Sequence, residues 1–250
     1  MAMIFLLGGH DLEMLEIRHL LETHNVRFED KGLNWSNARL SAYSDIIAAM
    51  PEADFYGVEL QEDYPLPEHY TRIDHHNDYS GRPAAILQVA RLLDVVPDRH
   101  LQLVAANDAG YIPAMQALGA TDAEIADIRR QDRSAQGVTE DDERKAEKSI
   151  AEGLAVCGDL MVVHAQTSCF SSICDRLFPC RRLIVFTDEE WTYYGDGKDE
   201  LVKMLSEDIA RKRVYHGGGD SGYIGAAKGA FTPQQILDFV NTIQQRYECK

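Results

Sequence analysis

The chain opens on an unbroken apolar run, Met3-Ile4-Phe5-Leu6-Leu7, the pattern of a strand buried on both faces in a parallel sheet. It stops at Gly8-Gly9, and His10-Asp11-Leu12-Glu13 leads into a helical pattern with Leu15, Leu20 and Leu21 on one side. That polar cluster falls at the C-terminal end of a strand and ahead of a helix, the usual position of a site in an α/β sheet. Asp11 and Glu13 also read as a helix cap and a complement to the helix dipole. Val26-Arg27-Phe28 predicts a second short strand, 41–50 a helix ended by Pro51, and 55–60 a strand with Glu59 near its end. His69 to Ile73 is extended, and 84–93 is a helix with Ile86, Leu87, Ala90 and Leu93 on its apolar face. Leu101 to Ala106 is a further apolar segment, read as the next strand, which runs into Asn107-Asp108.

Thr121-Asp122-Ala123-Glu124 has the form of a capping box for a helix through Arg130. From Gln131 to Lys148 the residues turn polar and charged, with a second capping box at Thr139 and Asp142. This segment reads as a solvated connecting helix, which divides the chain into a first domain over 1–136, a linker over 137–153 and a second domain over 154–250. Beyond it, 160–164 is a strand and 171–178 a short helix. Arg182 to Thr187 and Trp191 to Tyr194 form a hairpin, and 199–212 is an amphipathic helix. Val214 to Gly225 is a glycine-dense loop, and Thr232-Pro233 starts the last helix.

Composition narrows the function. With 250 residues, 45% of them hydrophobic and 26% charged, the chain can bury a sizeable core. A formal net charge of -16 opposes binding to long nucleic acid, which needs clustered Lys and Arg to neutralise phosphates. The five cysteines are odd in number and lack CxxC spacing, so neither a disulfide framework nor a zinc knuckle is indicated, and the expected compartment is the cytoplasm. No signal peptide is expected, because the opening apolar run has no basic segment before it. No apolar run is long enough to span a membrane.

The chemistry concentrates at Arg72-Ile73-Asp74-His75-His76-Asn77-Asp78. Adjacent imidazoles flanked by carboxylates suit a divalent transition metal better than calcium, because neutral His offers ring nitrogen and Asp or Glu offers hard oxygen. Farther on, Gly217-Gly218-Gly219 after His216 reads either as a plain tight turn or as consecutive exposed backbone N–H groups that suit an anion.

These features resemble the DHH phosphoesterase superfamily, named for the Asp-His-His that here is Asp74-His75-His76. The resemblance implies an α/β protein: a parallel-sheet DHH domain, then a smaller α/β domain of DHHA1 type, with the active-site cleft between them. It implies a two-metal site, most often Mn, with Mg, Co or Zn as alternatives. His10, Asp11, Glu13, Glu59, His75 and Asp108 would be its ligands. His76 would face the scissile phosphate, Asp74 would support the imidazoles, and His216, Gly217, Gly218 and Gly219 would hold the phosphate or nucleotide. Glu13 and Glu59 stand where the superfamily usually has Asp, and His10 directly precedes the first acid rather than lying several residues before it. The implied activity is metal-dependent hydrolysis of a small phosphorylated substrate, such as a nucleotide or short oligonucleotide. A non-catalytic protein that binds such a ligand is the alternative. The expected partners are that substrate and, at the level of assembly, a second copy of the chain.

Overall fold

The computed structural model describes residues 2–218 and 222–248, and the chain divides into two compact units, 1–137 and 138–250. The first unit is built on four parallel strands, β1 (Met3–Leu7), β2 (Arg27–Asp30), β3 (Asp54–Val58) and β4 (Tyr70–Ile73), in the spatial order β2-β1-β3-β4. The apolar opening run is a strand inside the sheet: Ile4, Phe5 and Leu6 are fully buried and Leu7 nearly so. Helix α1 (Leu12–Thr23) returns the chain from β1 to β2. Between β2 and β3 the expected helix over 41–50 is a 3-10 turn, Leu40–Tyr43, followed by the short α2 (Ser44–Ala49). Leu40, Tyr43 and Ile47 pack on Ile4, Leu6 and Phe55, and the Tyr43 hydroxyl donates to the Leu7 carbonyl at 2.6 Å.

Three more helices follow, α3 (Ala85–Leu92), α4 (Arg99–Ala117) and α5 (Asp122–Ala135). The apolar segment 101–106 is part of α4 and is not a strand. Its lack of period has a physical cause: α4 touches α1, α3 and α5, so successive residues Leu103, Val104, Ala105 and Ala106 are all buried. The local signal for a helix is Asp98, whose carboxylate accepts from the Leu101 amide at 2.9 Å as an N-cap. Helix α4 is interrupted at Gly110 and Tyr111 (φ 59°, ψ -151°), just after Asp108.

The second unit begins with α6 (Glu140–Gly153), followed by β5 (Leu154–Cys157), β6 (Leu160–His164), α7 (Ser171–Leu177), β7 (Arg182–Phe186) and β8 (Trp191–Gly195). Then come α8 (Lys198–Met204), α9 (Ser206–Ala210), β9 (Val214–Gly217), β10 (Tyr223–Ala226) and α10 (Pro233–Glu248). Its six-stranded sheet runs β5-β6-β7-β8-β10-β9, and only β6 and β7 pair in parallel. The single helix expected over 199–212 is the pair α8 and α9. The segment 214–225, expected as a loop, is largely an antiparallel hairpin of β9 with β10. Val214-Tyr215 and Tyr223-Ile224 supply the strand formers, while the glycines crowd the turn: a Cβ on Gly222 would stand 2.0 Å from the Gly217 carbonyl oxygen.

Both capping boxes read from the sequence are present, at Thr121 with Glu124 and at Thr139 with Asp142. Helix α6 is more than a solvated connector, because Ala146 is fully buried against Val163, Phe170 and Ile173 of the second unit. Ala146→Asp should therefore cost more than about 3 kcal/mol by burying an unpaired carboxylate, read as a drop in urea midpoint. A loss within about 0.5 kcal/mol, the scale of exposed substitutions, would show α6 to be a free linker.

Candidate metal centre

Because β1, β3 and β4 are parallel, their C-terminal ends share one edge of the sheet, and each end carries part of the site. After β1, Gly8 passes so close to β3 that a Cβ there would stand 2.4 Å from the Val58 carbonyl oxygen, so only glycine fits. After β3, Glu59 turns into the left-handed region at φ 53°, while its amide still donates to the Ile73 carbonyl at 2.9 Å. A non-glycine residue held there costs about 1–3 kcal/mol, a strain of the kind concentrated at functional sites. After β4, the His76 amide donates to the Asp74 carboxylate at 2.9 Å, a turn that fixes the backbone between the two imidazoles.

These ends converge on His75. Its Nε2 lies 2.5 Å from Oδ2 of Asp108, 3.4 Å from Oε1 of Glu59 and 3.6 Å from Oε2 of Glu13. His76 follows on the outer side, with Nδ1 3.5 Å from Oε1 of Glu59 and 3.5 Å from Oδ1 of Asp74. Glu59, His75, His76 and Asp108 each offer a donor atom, and those atoms all lie within 4.8 Å of one another. Glu59 is buried, yet neither of its carboxylate oxygens makes a well-directed hydrogen bond, and Oε2 of Glu13, Oδ2 of Asp108 and Nε2 of His75 approach one another at ion-pair distance without one. Buried polar atoms nearly always make hydrogen bonds, so five donor atoms without a well-directed one, gathered around one point, fit a divalent cation.

Asp11 and Glu13 come from α1 and divide their oxygens. Oδ1 of Asp11 accepts from the Met14 amide at 2.9 Å as the helix cap, and Oε1 of Glu13 accepts from the Ile86 amide at 2.9 Å. Oδ2 of Asp11 and Oε2 of Glu59 flank Gly9, lying 3.9 and 3.8 Å from where a Cβ would stand. His10 is exposed and outside the quartet of donors. His216 is exposed on β9 of the second unit, Gly217 ends that strand, Gly218 follows at φ 75°, and Gly219 lies outside the described residues.

Comparison with solved structures places this architecture. A DHH domain from a member of the s1p family of ribosomal proteins superposes with a TM-score of 0.53 at 11% identity, covering 97% of this chain and 86% of that one. A pGpG-specific phosphodiesterase from Vibrio cholerae superposes with a TM-score of 0.53 at 12% identity, covering 99% of this chain and 98% of that one. The chain shares its fold with these two proteins, one of them a DHH domain. No protein-family model and no curated protein sequence matches the chain.

On this fold, crowding of carboxylates controls the proton affinities. Burial, and then the neighbouring Asp108, Glu13 and Asp132, push Asp11 up to about 7 against the Met14 amide. Burial raises Glu13 well above the usual carboxylate range, with Asp108 and Glu59 adding to it. Burial also lifts Glu59 to about 7, helped by Asp108 and Asp11 and opposed by His75. For His75 burial works against the imidazolium, but Asp108, Glu13 and Glu59 outweigh it and push the ring up to about 12. Without a divalent cation, bound protons do its work of offsetting negative charge.

A second layer carries residues that the sequence pattern left as ordinary helix surface. Nη1 of Arg129 on α5 donates to Oδ1 of Asn107 at 2.9 Å and to Oδ2 of Asp132 at 2.6 Å, with its guanidinium over the Tyr111 ring at 4.6 Å. Asp132 in turn accepts from the Leu12 amide at 3.3 Å. One buried guanidinium thus ties the helix start that presents Asp11 to the helix segment that presents Asp108. The only sequence cue is that Arg129 and Asp132 share a face with the apolar Ile125 and Ile128.

Two outcomes follow from this geometry. Mn binding must displace protons from Asp11, Glu59 and His75, so affinity measured by calorimetry should be at least about tenfold tighter at about pH 8 than at about pH 6. A flat profile would mean that these groups hold no protons in the metal-free protein. Arg129→Lys, which keeps the charge but loses the planar fork, should weaken Mn binding about 10- to 100-fold while far-UV circular dichroism stays unchanged. Unaltered affinity would remove Arg129 from the site's support.

Proposed function

We propose that the chain is a divalent-metal-dependent phosphoesterase that hydrolyses a small phosphorylated substrate, such as a nucleotide or short oligonucleotide. The observation that carries this reading is Glu59: a buried carboxylate with neither oxygen in a well-directed hydrogen bond, in a strained backbone conformation, with ligand atoms of His75, His76 and Asp108 gathered around it. The likeness in fold to a pGpG-specific phosphodiesterase supports the same class of reaction.

In this reading Asp11, Glu13, Glu59, His75 and Asp108 hold the metal, and the mixed nitrogen and oxygen set favours Mn, Co or Zn, or Mg with fewer protein ligands, over Ca. Divalent ions held there would neutralise charge on the phosphoryl group and lower the pKa of an attacking water. His10, the remaining expected ligand, is exposed on the segment that leads into Asp11. His76 is the group that meets substrate. Its ring is about a third exposed, at the rim of a cavity of about 550 Å³, a size in the range of small-molecule pockets. From there it donates a hydrogen bond to a phosphoryl oxygen, and Asp74 holds its backbone in place. The exposed His216 and the glycines Gly217 and Gly218 offer a second anion-binding element.

Among the described residues no helix is long and apolar enough to cross a membrane. The odd number of cysteines and the lack of CxxC spacing support a reducing compartment such as the cytoplasm.

The test is hydrolysis, with and without Mn, of a panel of a generic phosphodiester, nucleoside 3'- and 5'-phosphates, cyclic dinucleotides, short oligonucleotides and pyrophosphate. Turnover should require the metal and fall at least about a hundredfold in His75→Ala. Silence across the panel by a protein that binds Mn would make this a ligand-binding member of the fold. Metal-independent turnover retained by His75→Ala would put the chemistry elsewhere.

A further inference from the structure

Trp35 is the feature beside the metal centre that its chemistry leaves unexplained. The side chain is 55% exposed, while its flanking residues Leu33 and Ala38 are buried in the core of the first unit. The exposure is built rather than incidental. Asn34 accepts from the Ser36 amide at 2.9 Å through its side chain, Asn37 accepts from the Asn34 amide at 2.7 Å, and the Asn37 amide donates to the Asn34 carbonyl at 2.9 Å. The loop is also stitched to the segment after Glu59, since the Gln61 amide donates to the Ala38 carbonyl and the Leu40 amide to the Gln61 carbonyl, both at 2.9 Å. Trp35 is therefore held in fixed relation to Glu59.

Its ring stands edge-on to His76, with centroids 5.2 Å apart, and lines the same cavity as Glu59, Arg72, Asp74 and Asn77. An indole left largely in water, on a loop pinned by its own side chains and touching the imidazole that meets phosphate, is a stacking platform. We infer that Trp35 is a specificity residue that stacks the base of a nucleotide substrate while His76 and the metal hold its phosphate. This deepens the phosphoesterase reading and rests on it for the placement of the phosphate. Every base has a π-face, so the platform selects for a base without selecting which one. Arg72 and Asn77 on the cavity wall are the polar groups within reach of a base edge.

Two measurements test it. The chain has two tryptophans, and Trp191 is buried in the core of the second unit, so solvent-exposed emission reports Trp35. In stopped-flow mixing with Mn present, adenosine 5'-monophosphate should quench that emission saturably before any turnover, whereas ribose 5-phosphate should not. Equal quenching by both would overturn the inference. In steady-state kinetics, Trp35→Ala should lower the ratio of kcat/KM for a dinucleotide over that for a base-free phosphodiester by about 5- to 100-fold, and Trp35→Phe should restore it to within about threefold. A ratio unchanged in Trp35→Ala would overturn the stacking role and leave the phosphoesterase intact. Absence of all hydrolysis, with base-dependent quenching retained, would overturn the phosphoesterase and leave the stacking role intact.

Discussion

Three carboxylates, those of Glu13, Glu59 and Asp108, crowd one imidazole at the edge of the parallel sheet, and a fourth, Asp11, adds its charge to theirs. Even after relaxation, taking one such charge out of water costs several kcal/mol unless it is paired. The first unit meets this cost by collecting positive charge, as protons on the acids and on His75 or as divalent cations. Its other features serve that arrangement: glycine at position 8 lets β1 and β3 approach, Glu59 accepts a strained backbone to aim its carboxylate, and Arg129 clamps the two helices that bring Asp11 and Asp108.

The same crowding bears on the overall charge. A chain of net charge -16 repels anions at a distance, and its proposed substrates are anionic. Cations bound at the edge of the sheet invert the local field, which lets an acidic protein bind phosphate at one point without a basic surface. Small substrates suit this arrangement better than long nucleic acid, whose many phosphates would remain opposed to the rest of the surface.

Helix capping and site building, which compete as readings of Asp11 and Glu13, coexist in the fold. A carboxylate has two oxygens, and each of these residues spends one on a backbone amide and turns the other toward the centre. The hydrogen bonds lock the side-chain direction, so the functional oxygen is held in place by the structural one.

Much of this was legible in the sequence. The buried run Met3–Leu7, the strand that delivers Glu59, the Asp74-His75-His76 cluster, both capping boxes and the β7–β8 hairpin depend on local pattern, and local pattern survives folding. The reading of 101–106 as a strand failed because buried positions follow one another without a break from Leu103 to Asn107, so no polar position betrays the helical period there. The β9–β10 hairpin was hidden because strands of four residues leave too few positions for an alternation to show. Two things only the tertiary structure decided: that Arg129 braces the metal centre, and that Trp35 stands against His76. Both depend on contacts between residues 22 or more positions apart, and no spacing along the chain encodes a distance across it.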